Sequence, residues 1–252
     1  MTNKLKYFVG NWKMFGDFKS LKIIYRIKNF SIKSKKSYNK KIILCIPNTL
    51  INFVTNKLKT KSVFIGAQNC SPHNDYGPYT GSVNAAMLKK AGAKYVILGH
   101  SENRLEGESN ELIKSKIQAT LNQKLNVIFC VGEKYTDKRK GKTFSVIKKQ
   151  MHDSLSKKNQ PKNIIIGYEP VWSIGTGKIP QNKDLLKIFI FIKKEFKKIF
   201  KTKKTPPVLY GGSVNAKNID KLSLVSEIDG FLIGGASQSS KKFIDIIKNY
   251  YK

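Results

Sequence analysis

Apolar and polar residues fall in alternating blocks along this chain. Short, almost wholly apolar runs at 7–9, 42–46, 63–67, 95–98, 127–131, 164–168, 208–210 and 230–233 read as strands. Between them, apolar residues recur at helical spacing over 18–30, 49–58, 83–91, 105–121, 144–155, 216–222 and 241–250. The clearest helical stripe is Leu185, Ile188, Phe189, Ile192, Phe196 and Phe200. Strands that are apolar on both faces belong in a parallel sheet covered by helices. Eight such units in 252 residues match the count and length of a (β/α)8 barrel, an eight-stranded parallel barrel with outer helices, as one domain over 1–252. An open doubly wound sheet is the competing arrangement. It is weakened because neither the G-x-G-x-x-G fingerprint nor a P-loop is present. No linker rich in Pro, Gly or Ser divides the chain. The polar stretches 31–41 and 134–141 read as surface connections.

Composition adds three constraints. With 40% hydrophobic residues the chain is globular, and no apolar run is long enough to span a membrane. The start, Met1-Thr2-Asn3-Lys4, has no signal-peptide pattern, and three scattered cysteines (Cys45, Cys70, Cys130) without a C-x-x-C suit reduced thiols of a cytoplasmic protein. Forty-eight Lys and Arg against 16 Asp and Glu give a net charge of +32. Such a field raises nucleic acid or an acidic membrane as partners. The lysines far outnumber the arginines, are spread through nearly every helix and accompany no nucleic-acid-binding motif, so neither partner is expected.

In a barrel of this type chemistry gathers where the strands end. The first strand hands on Asn11-Trp12-Lys13. The third opens a long loop from Gln68 to Thr80-Gly81. The fourth delivers Gly99-His100-Ser101-Glu102, and the fifth Gly132-Glu133. After the sixth come Glu169, the stiff Pro170-Val171-Trp172 and a loop with Gly175 and Gly177, which suits a general base under a mobile lid. His100, just ahead of a helix start, is expected to stay neutral as a hydrogen-bond donor. Gly211-Gly212-Ser213 and Gly234-Gly235 follow the last two strands, where barrels commonly bind phosphate on backbone N–H groups.

Six segments, in order and from end to end, resemble the triosephosphate isomerase family. They are Asn11-Trp12-Lys13, the run from Tyr95 to Glu102, Cys130-Val131-Gly132-Glu133, Tyr168-Glu169-Pro170-Val171-Trp172, Tyr210-Gly211-Gly212-Ser213-Val214 and Ile233-Gly234-Gly235-Ala236-Ser237. The resemblance implies interconversion of dihydroxyacetone phosphate and D-glyceraldehyde 3-phosphate through an enediolate, in glycolysis and gluconeogenesis. That family is itself the standard example of a Glu base working beside a neutral His under a closing loop. Glu169 would be the base, His100 would polarise the carbonyl, Lys13 and Asn11 would stabilise the enediolate, and Glu102 would stand near Lys13. Asn11, Lys13, Gly175, Ser213, Gly234 and Gly235 would hold the substrate. The resemblance implies no metal and no organic cofactor, and a homodimer formed through the strand-three loop around Tyr76 and Thr80. The chain departs from the family at Asn103, Ser82 and Lys178-Ile179-Pro180, which bears on ion pairs near the site and on lid kinetics. Two other readings are a basic nucleic-acid-binding protein on a barrel scaffold and a different phosphate-handling barrel enzyme. The joint presence of Asn11, Lys13, His100 and Glu169 disfavours the latter.

Overall fold

A computed structural model describes residues 4–252; Met1 to Asn3, where the sequence shows no signal-peptide pattern, lie outside the described residues. Eight parallel strands close into a barrel in chain order: β1 Lys6–Asn11, β2 Lys40–Cys45, β3 Val63–Ala67, β4 Tyr95–Leu98, β5 Asn126–Val131, β6 Ile164–Tyr168, β7 Val208–Tyr210 and β8 Gly230–Ile233. The last strand pairs with the first, Phe8 opposite Phe231 and Val9 opposite Leu232. Around it lie α1 Leu21–Lys33, α2 Asn48–Leu58, α3 Ala85–Lys90, α4 Ser101–Leu105, α5 Asn110–Asn122, α6 Tyr135–Arg139, α7 Thr143–Ser154, α8 Asn182–Phe200, α9 Ile219–Ser223 and α10 Ser240–Tyr250.

The strands are apolar throughout because they bury two faces against different neighbours. Val9, Ile43, Cys45, Tyr95, Ile97, Ile128, Cys130, Ile165, Leu209 and Leu232 meet as one cluster, the filled interior of the barrel. Their alternates Phe8, Ile42, Leu44, Val96, Leu98, Phe129, Ile166, Tyr168 and Phe231 belong to the larger cluster shared with the helices. The period of two survives inside an all-apolar strand as a choice between the two cores.

Five sequence expectations are corrected. The helix expected over 105–121 is divided: α4 ends at Leu105 and α5 starts at Asn110, capped by Ser109. Gly107 between them has φ of +102°, a conformation open mainly to glycine. The 134–141 stretch holds the short α6 as well as turns. Strand β1 runs on through Asn11, so Asn11 is a strand residue, whereas β2 stops at Cys45 and leaves Ile46 outside it. The 31–41 stretch is shared between the end of α1 and the start of β2. None of the described helices is long and apolar enough to cross a membrane.

Candidate active site

The strand ends meet at a cavity of about 630 Å³ lined by Asn11, Lys13, His100, Glu169, Gly175, Ser213, Gly234 and Gly235, among others. All the substrate-facing residues singled out from the sequence border this one space. Glu102 stands behind it on α4, where its carboxylate pairs with the Lys13 ammonium.

Glu169 follows β6 directly and is buried. Two glycines make its place. A Cβ on residue 132 would sit 1.8 Å from the Glu169 carbonyl oxygen, and one on residue 211 would sit 2.9 Å from its Cγ. The backbone N–H of Ser101 donates to Glu169 Oε2 at 3.2 Å, and His100 Nε2 lies 3.1 Å from Oε1. Below, the Cys130 thiol is pushed far up by burial and further by the Glu169 charge, so it stays protonated.

His100 caps α4, and its Nδ1 accepts the backbone N–H of Glu102 at 3.2 Å. An accepting Nδ1 places the ring proton on Nε2, aimed at Glu169. Burial pulls the imidazole pKa down, but the Glu169 carboxylate outweighs it, and the net direction is upward. This opposes the neutral ring expected from the sequence. The two observations are reconciled by their cause. The rise comes mainly from the negative charge on Glu169, which vanishes once that group takes up a proton, whereas the bond from Glu102 persists.

Lys13 has a left-handed backbone, φ +55°, unusual for a residue with a Cβ. Three contacts hold it: its N–H donates to Asn11 Oδ1 at 3.0 Å, Gln68 Nε2 donates to its carbonyl at 2.9 Å, and Glu102 takes its ammonium. Gln68 also reaches Asn11 Oδ1 at 3.3 Å. Sequence reasoning treated Gln68 only as the start of a loop. Its place directly after β3 was the signal that could have found it.

Another side of the cavity, where the sequence leads one to expect phosphate, is formed by the segment after β8, where a 3-10 turn, Gly235–Gln238, starts beside Gly234. A Cβ on Gly235 would meet nothing within 4 Å, so its backbone faces open space. First-turn N–H groups lack partners within the helix and suit an anion. The lid is docked over the opening. Trp172 Nε1 donates to Glu133 Oε1 at 2.8 Å, with the Lys138 ammonium 3.5 Å from the indole ring. Gly177 N–H donates to Ser213 Oγ at 3.0 Å, and that hydroxyl donates to the Ser173 carbonyl at 2.6 Å. Ser213, expected to bind phosphate, thus also anchors the lid.

Comparison with known proteins points to one family. A profile of the family described as "Triosephosphate isomerase" matches residues 6–250. The triosephosphate isomerase of Bartonella bacilliformis is 36% identical over 255 residues, covering 100% of both chains. That of Dictyoglomus thermophilum is 38% identical over 249 residues, covering 97% of this chain and 99% of its own. The crystal structure of the Bartonella henselae triosephosphate isomerase superimposes with a TM-score of 0.88 at 35% identity, over 98% of this chain and 99% of that one.

Proposed function

The chain belongs to the triosephosphate isomerase family and interconverts dihydroxyacetone phosphate and D-glyceraldehyde 3-phosphate, and from that premise we propose how its residues divide the work. Glu169 removes a proton from the carbon beside the carbonyl. The His100 Nε2–H polarises that carbonyl and returns protons to its oxygen, while Lys13 and Asn11 stabilise the enediolate that forms. As Glu169 is neutralised, the attraction that raised the His100 pKa is lost, so the ring remains a neutral donor when it is needed. Gly175, Ser213, Gly234 and Gly235 receive the phosphate on backbone N–H groups, and the docked lid keeps water from the enediolate. Glu102 and Gln68 orient Lys13 and Asn11.

The observation that carries this division is the 3.1 Å approach of His100 Nε2 to Glu169 Oε1 across one cavity that Lys13 and the glycine cradle also border. In a coupled assay with glyceraldehyde 3-phosphate, Glu169→Gln is expected to lower kcat by about 10³-fold with little change in KM. Unchanged turnover would overturn the assignment.

We further propose a homodimer. Met14, fully exposed, and Tyr76, 62% exposed, are large apolar side chains on the loops after β1 and β3, with Phe15, Phe18 and Tyr79 also exposed. Large apolar side chains exposed in this way suit a partner rather than solvent. A cytoplasmic location is supported by three unpaired buried thiols.

A further inference from the structure

Ser173 is wholly buried beside the exposed tip of the lid, and its hydroxyl has three hydrogen-bond partners, two of them outside the lid. It bonds to the carbonyl of Lys178, lies 3.0 Å from the Tyr210 hydroxyl, and is 3.3 Å from the Ser213 N–H. The directions follow from chemistry. A carbonyl only accepts, so Ser173 spends its one proton on Lys178. An N–H only donates, so Ser213 gives to Ser173. Tyr210 must then donate as well, and burial, which pushes that phenol up to about 12, keeps it protonated. The oxygen therefore makes one donation and receives two, which fills its capacity.

These three partners lie on three different parts of the site. Lys178 is on the returning limb of the lid, Tyr210 ends β7, and Ser213 belongs to the segment expected to bind phosphate. Pro180, where the lid rejoins the body, has no N–H to offer. The surroundings are shaped for the hydroxyl. A Cβ on residue 212 would fall 2.3 Å from the Tyr210 hydroxyl and 2.6 Å from Ser173 Oγ, so only glycine leaves the space in which the two oxygens meet.

We infer that the Ser173 hydroxyl is the clasp of the lid, a positioning residue that ties both limbs to β7 and to the phosphate segment and so sets how completely the lid closes during turnover. The inference rests on the isomerase reading of the site. Ser173 touches no reacting atom. In the closed lid its loss leaves the buried Tyr210 hydroxyl and the part-buried Lys178 carbonyl and Ser213 N–H each a partner short, whereas in an open lid all three turn to water. The penalty falls on closure alone.

Incomplete closure has a chemical signature. In an enediolate that is not shielded, the C–O bond to phosphate breaks, phosphate leaves with the bonding pair, and the enol of methylglyoxal remains. Ser173→Ala is therefore expected to raise inorganic phosphate released per isomerisation by about tenfold and to weaken 2-phosphoglycolate, whose carboxylate mimics the enediolate, by a similar factor. The melting temperature without ligand should stay near that of the parent. Tyr210→Phe should reproduce the effect, and the double variant should add little to either single one. If Ser173→Ala fails to fold, Tyr210→Phe carries the test by the same two readouts. Phosphate release and phosphoglycolate affinity at parental values in a folded variant would overturn the inference. A parent protein without isomerase activity would instead sink the reading of the site and this inference with it.

Discussion

At the level of single residues, the arrangement around Glu169 is set by what is missing as much as by what is present. No side chain fits at 132, because its Cβ would overlap the Glu169 carbonyl, and the bare Gly211 leaves room for the carboxylate stem. These glycines were visible in the sequence, but only as residues at strand ends; that they clear space for one particular Glu is a fact of the closed barrel. The His100–Glu169 contact makes a prediction with a definite sign. Folding raises the His100 pKa, so the linked stabilisation is fully present below about pH 6.5, the unfolded value, and is lost as pH rises through the higher folded value. In Glu169→Gln the main upward cause disappears. Burial then dominates, with Glu102 still pulling upward and Lys13 downward. The His100 titration midpoint, followed by NMR of the ring protons, is expected to fall relative to the parent, and the low-pH gain in melting temperature should shrink with it. A midpoint that stays or rises would show that Glu169 is not its source.

Elements place these residues, and the most legible ones were those that begin and end with their apolar run. Strands β3, β4, β6, β7 and β8 lie where the apolar runs put them, and the stripe on α8 is buried from Leu185 to Phe196, with Phe200 half-buried. The helix expected over 105–121 was not so legible, since the pattern of apolar residues continues across a break that Gly107 imposes through its backbone. Asn11 shows the same limit from the other side: it is polar, yet pairing opposite Cys45 keeps it in β1. Contacts such as those of Gln68 and Ser173 join segments far apart in the chain, and no local pattern could announce them. Helix α8 supports the base directly, because Phe189 is fully buried and meets the Tyr168 ring edge-on at 6.1 Å, one residue before Glu169. Phe189→Ala is expected to cost about 3–5 kcal/mol in chemical denaturation and to lower kcat as Glu169 loses its backing. A loss below about 1 kcal/mol would mean that the site does not lean on this helix.

Over the whole molecule, the +32 charge is carried on an apolar architecture that it does not disturb. Buried lysines are each given partners: Lys193 bonds Glu227 and Asp229 at 2.9 Å, and Lys116 pairs with Glu108. The exposed apolar loops after β1 and β3 bear on assembly. If they join two subunits, Tyr76→Asp should shift the sedimentation of the protein from dimer to monomer. It should also reduce kcat/KM by about 100-fold, because the strained Lys13 lies next to Met14 on the loop that would lose its support. A variant that sediments and turns over like the parent would remove Tyr76 from the interface, and a parent that sediments as a monomer would remove the dimer. The pairing of β1 with β8 carries a consequence for biosynthesis. On one side residues 7–10 pair with β2, but on the other they find their neighbours only in residues 230–233, which are synthesised after all the other strands. Until then the growing chain carries a sheet with two unpaired edges, each a template for another strand. Strand β8 is thus what turns a sticky, extendable sheet into a barrel with no edge to offer.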